Sequence, residues 1–165
     1  MKEVPDLKTK GFVPELSLTS NRDRWWNIRN HLRRRNIVVY FVHDKYCDKC
    51  RARLKAFARD YADWRRIYGE VVAVFSDPVD DLKNLGEELD LPFPLLSDAD
   101  GRAKAAFSLK GITRPDAPVV FVVDRLSTLF YHELNDAADP WLEAAEVFEE
   151  VEFLEGRCPE CGIYG

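Results

Sequence analysis

Glutamine is absent from this chain of 165 residues, methionine occurs once, and asparagine is scarce, while arginine and glutamate are plentiful. Such a bias is common in thermophile proteins, which use charged residues and avoid thermolabile amides, and it predicts a thermophile source. No apolar run approaches the roughly 20 residues needed to span a bilayer, so no membrane association is expected. The first residues, MKEVPDLKTKGFVPEL, lack the apolar centre of a signal peptide, which predicts a cytoplasmic protein. The net charge of −5 carries no basic excess and argues against nucleic-acid binding. Asp98-Ala99-Asp100-Gly101 lacks the further spaced ligands of a calcium loop and reads as a turn. There is no internal repeat and no low-complexity segment.

What remains is a folded α/β chain, 46% hydrophobic and 32% charged, with four cysteines in two CxxC pairs, Cys47/Cys50 and Cys158/Cys161. The first pair lies at the most informative junction. Ile37 to Phe41 is a continuous β-branched and aromatic run, as expected of a strand covered on both faces. A polar turn follows at His43-Asp44-Lys45. Cys50, Leu54, Phe57, Tyr61, Trp64 and Tyr68 then recur at helical spacing. A CxxC between a buried strand and a helix suits redox work, because the unpaired N–H groups of a first helical turn stabilise a thiolate, the reactive form of cysteine. Lys45, Lys49, Arg51 and Arg53 add favourable charge and Asp48 opposes it. The competing readings are a pair of buried structural thiols or half of a zinc site.

Along the chain, Pro14–Leu18 predicts an edge strand, and 22–35 a helix capped by Ser20-Asn21 and carrying Trp25, Trp26, Ile28 and Leu32. Gly69 is expected to end the CxxC helix, and Val71–Phe75 to form a strand parallel to the first. Leu82, Leu85 and Leu89 mark a helix, Pro92–Leu96 an extended segment, and Ala103–Leu109 a short helix. Val119–Asp124 and Leu129–His132 form a hairpin. A last helix follows from Asp139 and Pro140 to Leu154, with Trp141, Ala145, Phe148 and Val151 inward. This order predicts one domain over 1–155, built as a central mixed β-sheet with helices on both faces, and a CxxC tail over 156–165.

Three runs carry a family resemblance: VVYFVHDKYCDKC, VVAVFSDPVDDLKNLGEELDLPFPLLSDADGRAKAAFSL and APVVFVVD. Over roughly residues 11 to 135 the chain resembles the thioredoxin fold in its peroxiredoxin-like form, the alkyl hydroperoxide reductase/thiol-specific antioxidant group, and the middle run resembles the Q-type bacterial members. The CxxC itself looks like that of thioredoxin. The resemblance implies a cis-proline at Pro118 facing Cys47 and Cys50, and a shielding or docking role for Tyr46, which stands where thioredoxins keep tryptophan. Aligned on Phe41, the family's motif proline falls on His43, its threonine or serine on Cys47 and its peroxidatic cysteine on Cys50. The family's strand arginine falls on Val119, with Arg114 nearby in sequence.

These departures favour dithiol exchange. The leading expectation is a thiol–disulfide oxidoreductase of the antioxidant, redox-homeostasis type, acting through a redox-active disulfide at Cys47/Cys50, with Cys47 attacking. The alternative is a thiol-dependent peroxidase with Cys50 attacking and Cys47 resolving. A non-catalytic zinc-binding or interaction protein on the same scaffold is the third reading. His43 and Lys49 are candidate supporting residues, although His43 reads more simply as a strand-end histidine. The expected partners are a protein disulfide or a peroxide, together with a thiol reductant, and no cofactor is needed. Cys158/Cys161, in RCPECGIYG, suits a local disulfide or accessory dithiol better than zinc, since two thiolates make half a tetrahedral site. Metal analysis of purified protein is therefore expected to find less than one zinc per several chains, with Cys158→Ser no different; a stoichiometric zinc lost in that variant would reverse the ranking.

Overall fold

The computed structural model describes residues 2–3, 13–42, 44–108, 119–125, 129–134 and 143–156. The predicted roles of His43, Pro118, Cys158 and Cys161, and the inward placement of Trp141, fall outside the described residues.

The strands of the main sheet are β1 (Lys2–Glu3), β4 (Asn36–Phe41), β5 (Gly69–Phe75), β6 (Leu95–Ser97), β7 (Val119–Val123) and β8 (Leu129–Leu134), in the spatial order β1-β8-β7-β4-β5-β6. β4 and β5 run parallel, with Val38 opposite Val71 and Tyr40 opposite Ala73, and β6 continues parallel to β5. β7 lies antiparallel on the other side of β4. A parallel pair needs a crossover, which here is helical: α1 (Asp48–Arg59) and α2 (Tyr61–Arg66). The other helices are α3 (Val79–Leu89), α4 (Arg102–Ser108) and α5 (Ala144–Gly156).

The pleat of β4 divides the core in two. Val38, Tyr40 and Val42 point to one face, where Cys50, Leu54 and Phe57 of α1, Trp64 of α2, Leu82 and Leu85 of α3, and Val147 and Val151 of α5 cover them. Ile37, Val39 and Phe41 point to the other face, against Phe107 of α4, Trp26 and Ile28. Each large apolar side chain so buried contributes roughly 1.5–3 kcal/mol. The mixed sheet with helices on both faces is as the sequence predicts.

Several local expectations are corrected. Residues 22–35 do not form a helix. Trp25–Asn27 is a strand, β3, paired antiparallel with β2 (Ser17–Thr19), and only Ile28–Asn30 coils, as one 3-10 turn. The two tryptophans alternate as strand neighbours must: Trp26 is buried and Trp25 is 67% exposed. Ser20-Asn21 forms the hairpin end instead of a helix cap, and Asn21 pairs with Leu95 through both its backbone and its side chain. The single long CxxC helix is broken at Asp60, whose backbone leaves the helical region. The break precedes Tyr61 and Arg65, which both reach the buried Glu70 carboxylate at 2.6 Å. In α5 the buried stripe is Ala144, Val147, Val151 and Leu154, so Ala145 faces out and Phe148 is half-buried.

Gly69 does not end the helix. It opens β5, after Tyr68 turns the chain with φ 57°. A Cβ at Gly69 would stand 2.8 Å from the Trp64 carbonyl oxygen, closer than such atoms pack. Because the obstacle is backbone, Gly69→Ala is expected to destabilise the fold by about 1–3 kcal/mol, read as a lower denaturation midpoint with an unchanged slope.

Candidate active site

β4 ends at Phe41, and the chain reverses through a tight turn before α1. The Asp44 carboxylate accepts from the Tyr46 amide at 2.8 Å, and the Asp44 carbonyl accepts from the Cys47 amide at 3.1 Å. Asx turns of this kind favour the bend over continued strand. Cys47 then takes the helix N-cap position, and its sulfur accepts from the Cys50 amide at 3.4 Å. Thus Cys47 occupies a site normally filled by serine, threonine, asparagine or aspartate. Cys50 lies one turn in. Both described cysteines are free thiols; Cys47 is half-buried and Cys50 fully buried.

The expected ring of free positive charge around the thiols is not what forms. The Lys45 ammonium is held by Asp81 at 2.8 Å and Asp77 at 3.4 Å, which raises its pKa and commits its charge to α3. Arg51 likewise bridges to Glu88 at 2.7 Å, and its Nε donates to the Lys45 carbonyl at 2.7 Å. These contacts clamp the CxxC turn against α3. Lys49 and Tyr46 are exposed, Tyr46 to 70%, with the Lys45 ammonium 5.1 Å from its ring centre.

Two side chains lie beside the thiols: Tyr40, which sequence reasoning missed, and Arg53, which it counted among the favourable charges. Tyr40, next to last in β4, is fully buried on the Cys50 face. Arg53, one turn beyond Cys50, is 6% exposed and places its guanidinium 5.3 Å from the centre of the Tyr40 ring. A signal was available: one polar-tipped residue inside an otherwise apolar strand, and an arginine at i+3 from a buried cysteine.

Burial pushes the Cys50 thiol up from its ordinary pKa. Tyr40 and the Asp44 backbone amide, both able to donate to the sulfur, pull it back, while Cys47 adds to the rise. Burial also pushes the Tyr40 phenol well above its ordinary value, so it remains a donor at any working pH. Among the described residues no group of three or more His, Cys, Asp or Glu is placed to hold a metal ion. No helix among them is long and apolar enough to cross a membrane. A groove of about 600 Å³ between β2–β3 and α4, beside Trp25 and Arg102, contains neither cysteine.

A strand–turn–helix junction in a mixed sheet covered on both faces defines a thioredoxin-like fold. Residues 9–132 match the AhpC/TSA family, and the chain belongs to it, among oxidoreductases. The fold is similar to peroxidoxin BcpB from Mycobacterium tuberculosis (18% identity, TM-score 0.74, covering 96% of this chain and 99% of the other). It is also similar to AhpC from Enterococcus faecalis (16%, 0.74, 90% and 96%) and peroxiredoxin Q from Xanthomonas campestris (16%, 0.70, 94% and 95%). At such identities the likeness concerns the fold. No curated protein sequence matches the chain.

The raised Cys50 pKa has a signed consequence. The fold favours the neutral thiol, so the stability it contributes is present below the roughly 8.5 of an unfolded thiol and is lost as pH rises through the folded value. Melting of the reduced protein is expected to fall more steeply above about pH 8.5 than that of Cys50→Ala. Parallel slopes for the two proteins would contradict this placement of Cys50.

Proposed function

We propose that this chain is a thiol-dependent peroxidase in which Cys50 attacks the peroxide and Cys47 resolves. The observation that carries the reading is the position of Cys50: one turn into the helix that follows β4, in an AhpC/TSA chain, with its sulfur buried. A sulfur so enclosed is out of reach of a protein disulfide, whereas a hydroperoxide is small enough for a narrow opening. The first step is attack of the Cys50 thiolate on one peroxide oxygen. The O–O bond breaks, the departing oxygen leaves as alcohol or water after taking a proton, and Cys50 becomes a sulfenic acid. Cys47 then attacks that sulfur, the sulfenic oxygen leaves as water, and the disulfide closes. An external thiol reductant, protein or small molecule, restores the dithiol by exchange. The dithiol itself carries the two electrons, so no bound cofactor enters. The N-cap contact of 3.4 Å between the Cys47 sulfur and the Cys50 amide supports closure with little movement.

A second reading rests on the exposure of Cys47. The half-buried sulfur is the more accessible of the two, so attack of Cys47 on a partner's disulfide, resolved by Cys50, is the dithiol-exchange route.

Peroxide consumption and insulin-disulfide reduction, run on Cys47→Ser and Cys50→Ser, separate the two. Under the peroxidase reading Cys50→Ser loses peroxide turnover at least 100-fold. Cys47→Ser still reacts once and accumulates a Cys50 sulfenic acid that a dimedone-type probe labels. The rate constant with peroxide is expected to rise with pH through the Cys50 pKa, because the thiolate fraction grows. Insulin reduction that survives in Cys50-intact protein without any peroxide turnover, and needs Cys47, would instead establish exchange.

A further inference from the structure

Tyr40 presents an unusual buried group. Its ring is packed against Phe57, with centroids 6.3 Å apart, yet its hydroxyl has no hydrogen-bond partner of good geometry among the described residues. Buried polar atoms left unpaired destabilise a fold, so such an atom calls for an explanation. The Trp64 indole N–H is also unpaired among the described residues, and its ring sits against Phe57 and Phe148. Tyr40 differs. The pleat of β4 turns it toward the face that holds Cys50, and both side chains belong to the same buried cluster. A neutral thiol is a weak acceptor. A thiolate is a strong one.

We propose that the Tyr40 hydroxyl is the hydrogen-bond donor held in reserve for the Cys50 thiolate, and that Arg53 assists it from the face of the ring. The titratable and charged groups that bear on this centre are Cys47 and the Asp44 amide from the turn, Arg53 from α1, and Tyr40 from β4. Of these, the Asp44 amide and Tyr40 can donate to the sulfur, and Arg53 brings buried positive charge. A guanidinium over a phenol ring draws electron density from it and makes its O–H the better donor. The phenol and the cation thereby supply, from the end of β4 and the second turn of α1, what the CxxC turn lacks: Cys47 has no hydroxyl, and Lys45 and Arg51 are committed to α3. Tyr40 is a positioning residue that acts on the reactivity of Cys50. The inference rests on the reading of Cys50 as the attacking thiol.

The test reads ionisation and activity separately. In a Cys47→Ser background, the thiolate absorbance of Cys50 is titrated with Tyr40 intact and with Tyr40→Phe, and the single-turnover rate with hydrogen peroxide is measured at neutral pH. The phenylalanine ring fills the same space, so the melting temperature should hold or rise slightly. The expected result is a Cys50 midpoint higher by about one pH unit and a rate about ten-fold lower at neutral pH, converging at high pH where both thiols are ionised. Arg53→Met should move the midpoint the same way. An unchanged midpoint in Tyr40→Phe overturns the role of Tyr40, whatever the peroxide activity. A shifted midpoint in protein that never consumes peroxide upholds Tyr40 as the thiolate donor and removes the peroxidase reading instead.

Discussion

Coverage of β4 on both faces governs this molecule. Every residue from Asn36 to Phe41 is buried, so the strand has no solvent side on which to leave the sheet. It must end in a turn at its carboxyl end, and the helix that returns the chain to β5 must lie across one face. The cysteines stand at that forced reversal. Cys47 lands on the helix cap and Cys50 on the inward side of the first turn, where it joins the same apolar cluster as Val38, Tyr40 and Val42. The Cys50 thiol is thus an extension of the core, and its ionisation is set by what the core packs against it.

That placement sets two effects against each other. The open N-terminal turn of α1 favours an anion, as does the Asp44 amide, while burial of the sulfur opposes one. Burial dominates in the net direction of the Cys50 shift. The basic residues Lys45 and Arg51 do little to redress this, because Asp77, just before α3, and Asp81 and Glu88 of α3 meet them. Their service is mechanical: they pin the turn. Charge that counts toward the thiolate has to come from inside, and the buried cation nearby is Arg53.

The same economy appears at the far end of the sheet. Asn36, at the start of β4, donates to Glu155 at 2.8 Å and accepts from the Arg125 amide at 3.1 Å, while Arg125 pairs with Glu155 at 2.8 Å. One polar side chain there joins β4, the end of β7 and α5, and so fixes the last helix over the face that shelters Tyr40. Asn36 is thus the polar anchor at the start of the strand, while the Tyr40 hydroxyl near its other end has no hydrogen-bond partner among the described residues.

Much of this was legible in the residues alone. Periodicity identified β4, β5, α1, α3 and the β7–β8 hairpin, because each has a long apolar run or stripe and turn residues at its borders. The resemblance carried by three sequence runs pointed to the family that residues 9–132 match, and the spacing of Cys47 and Cys50 nominated the candidate site. The failures share a cause. Residues 22–35 contain apolar positions that suit helix and strand alike, and pairing with Ser17–Thr19 decided for the strand. The helix break at Asp60 precedes contacts to Glu70 in the next strand, and in α5, where Val151 is inward as expected, Ala144 and Val147 take the inward places expected of Ala145 and Phe148. The active site beyond its two sulfurs likewise depends on contacts between elements. Sequence spacing places groups along one element, and it determined the dithiol. Which charges are spent on α3, and which phenol faces the buried thiol, was decided only when separate elements packed together, because hydrogen bonds and ion pairs act over a few ångströms of space and not along the chain.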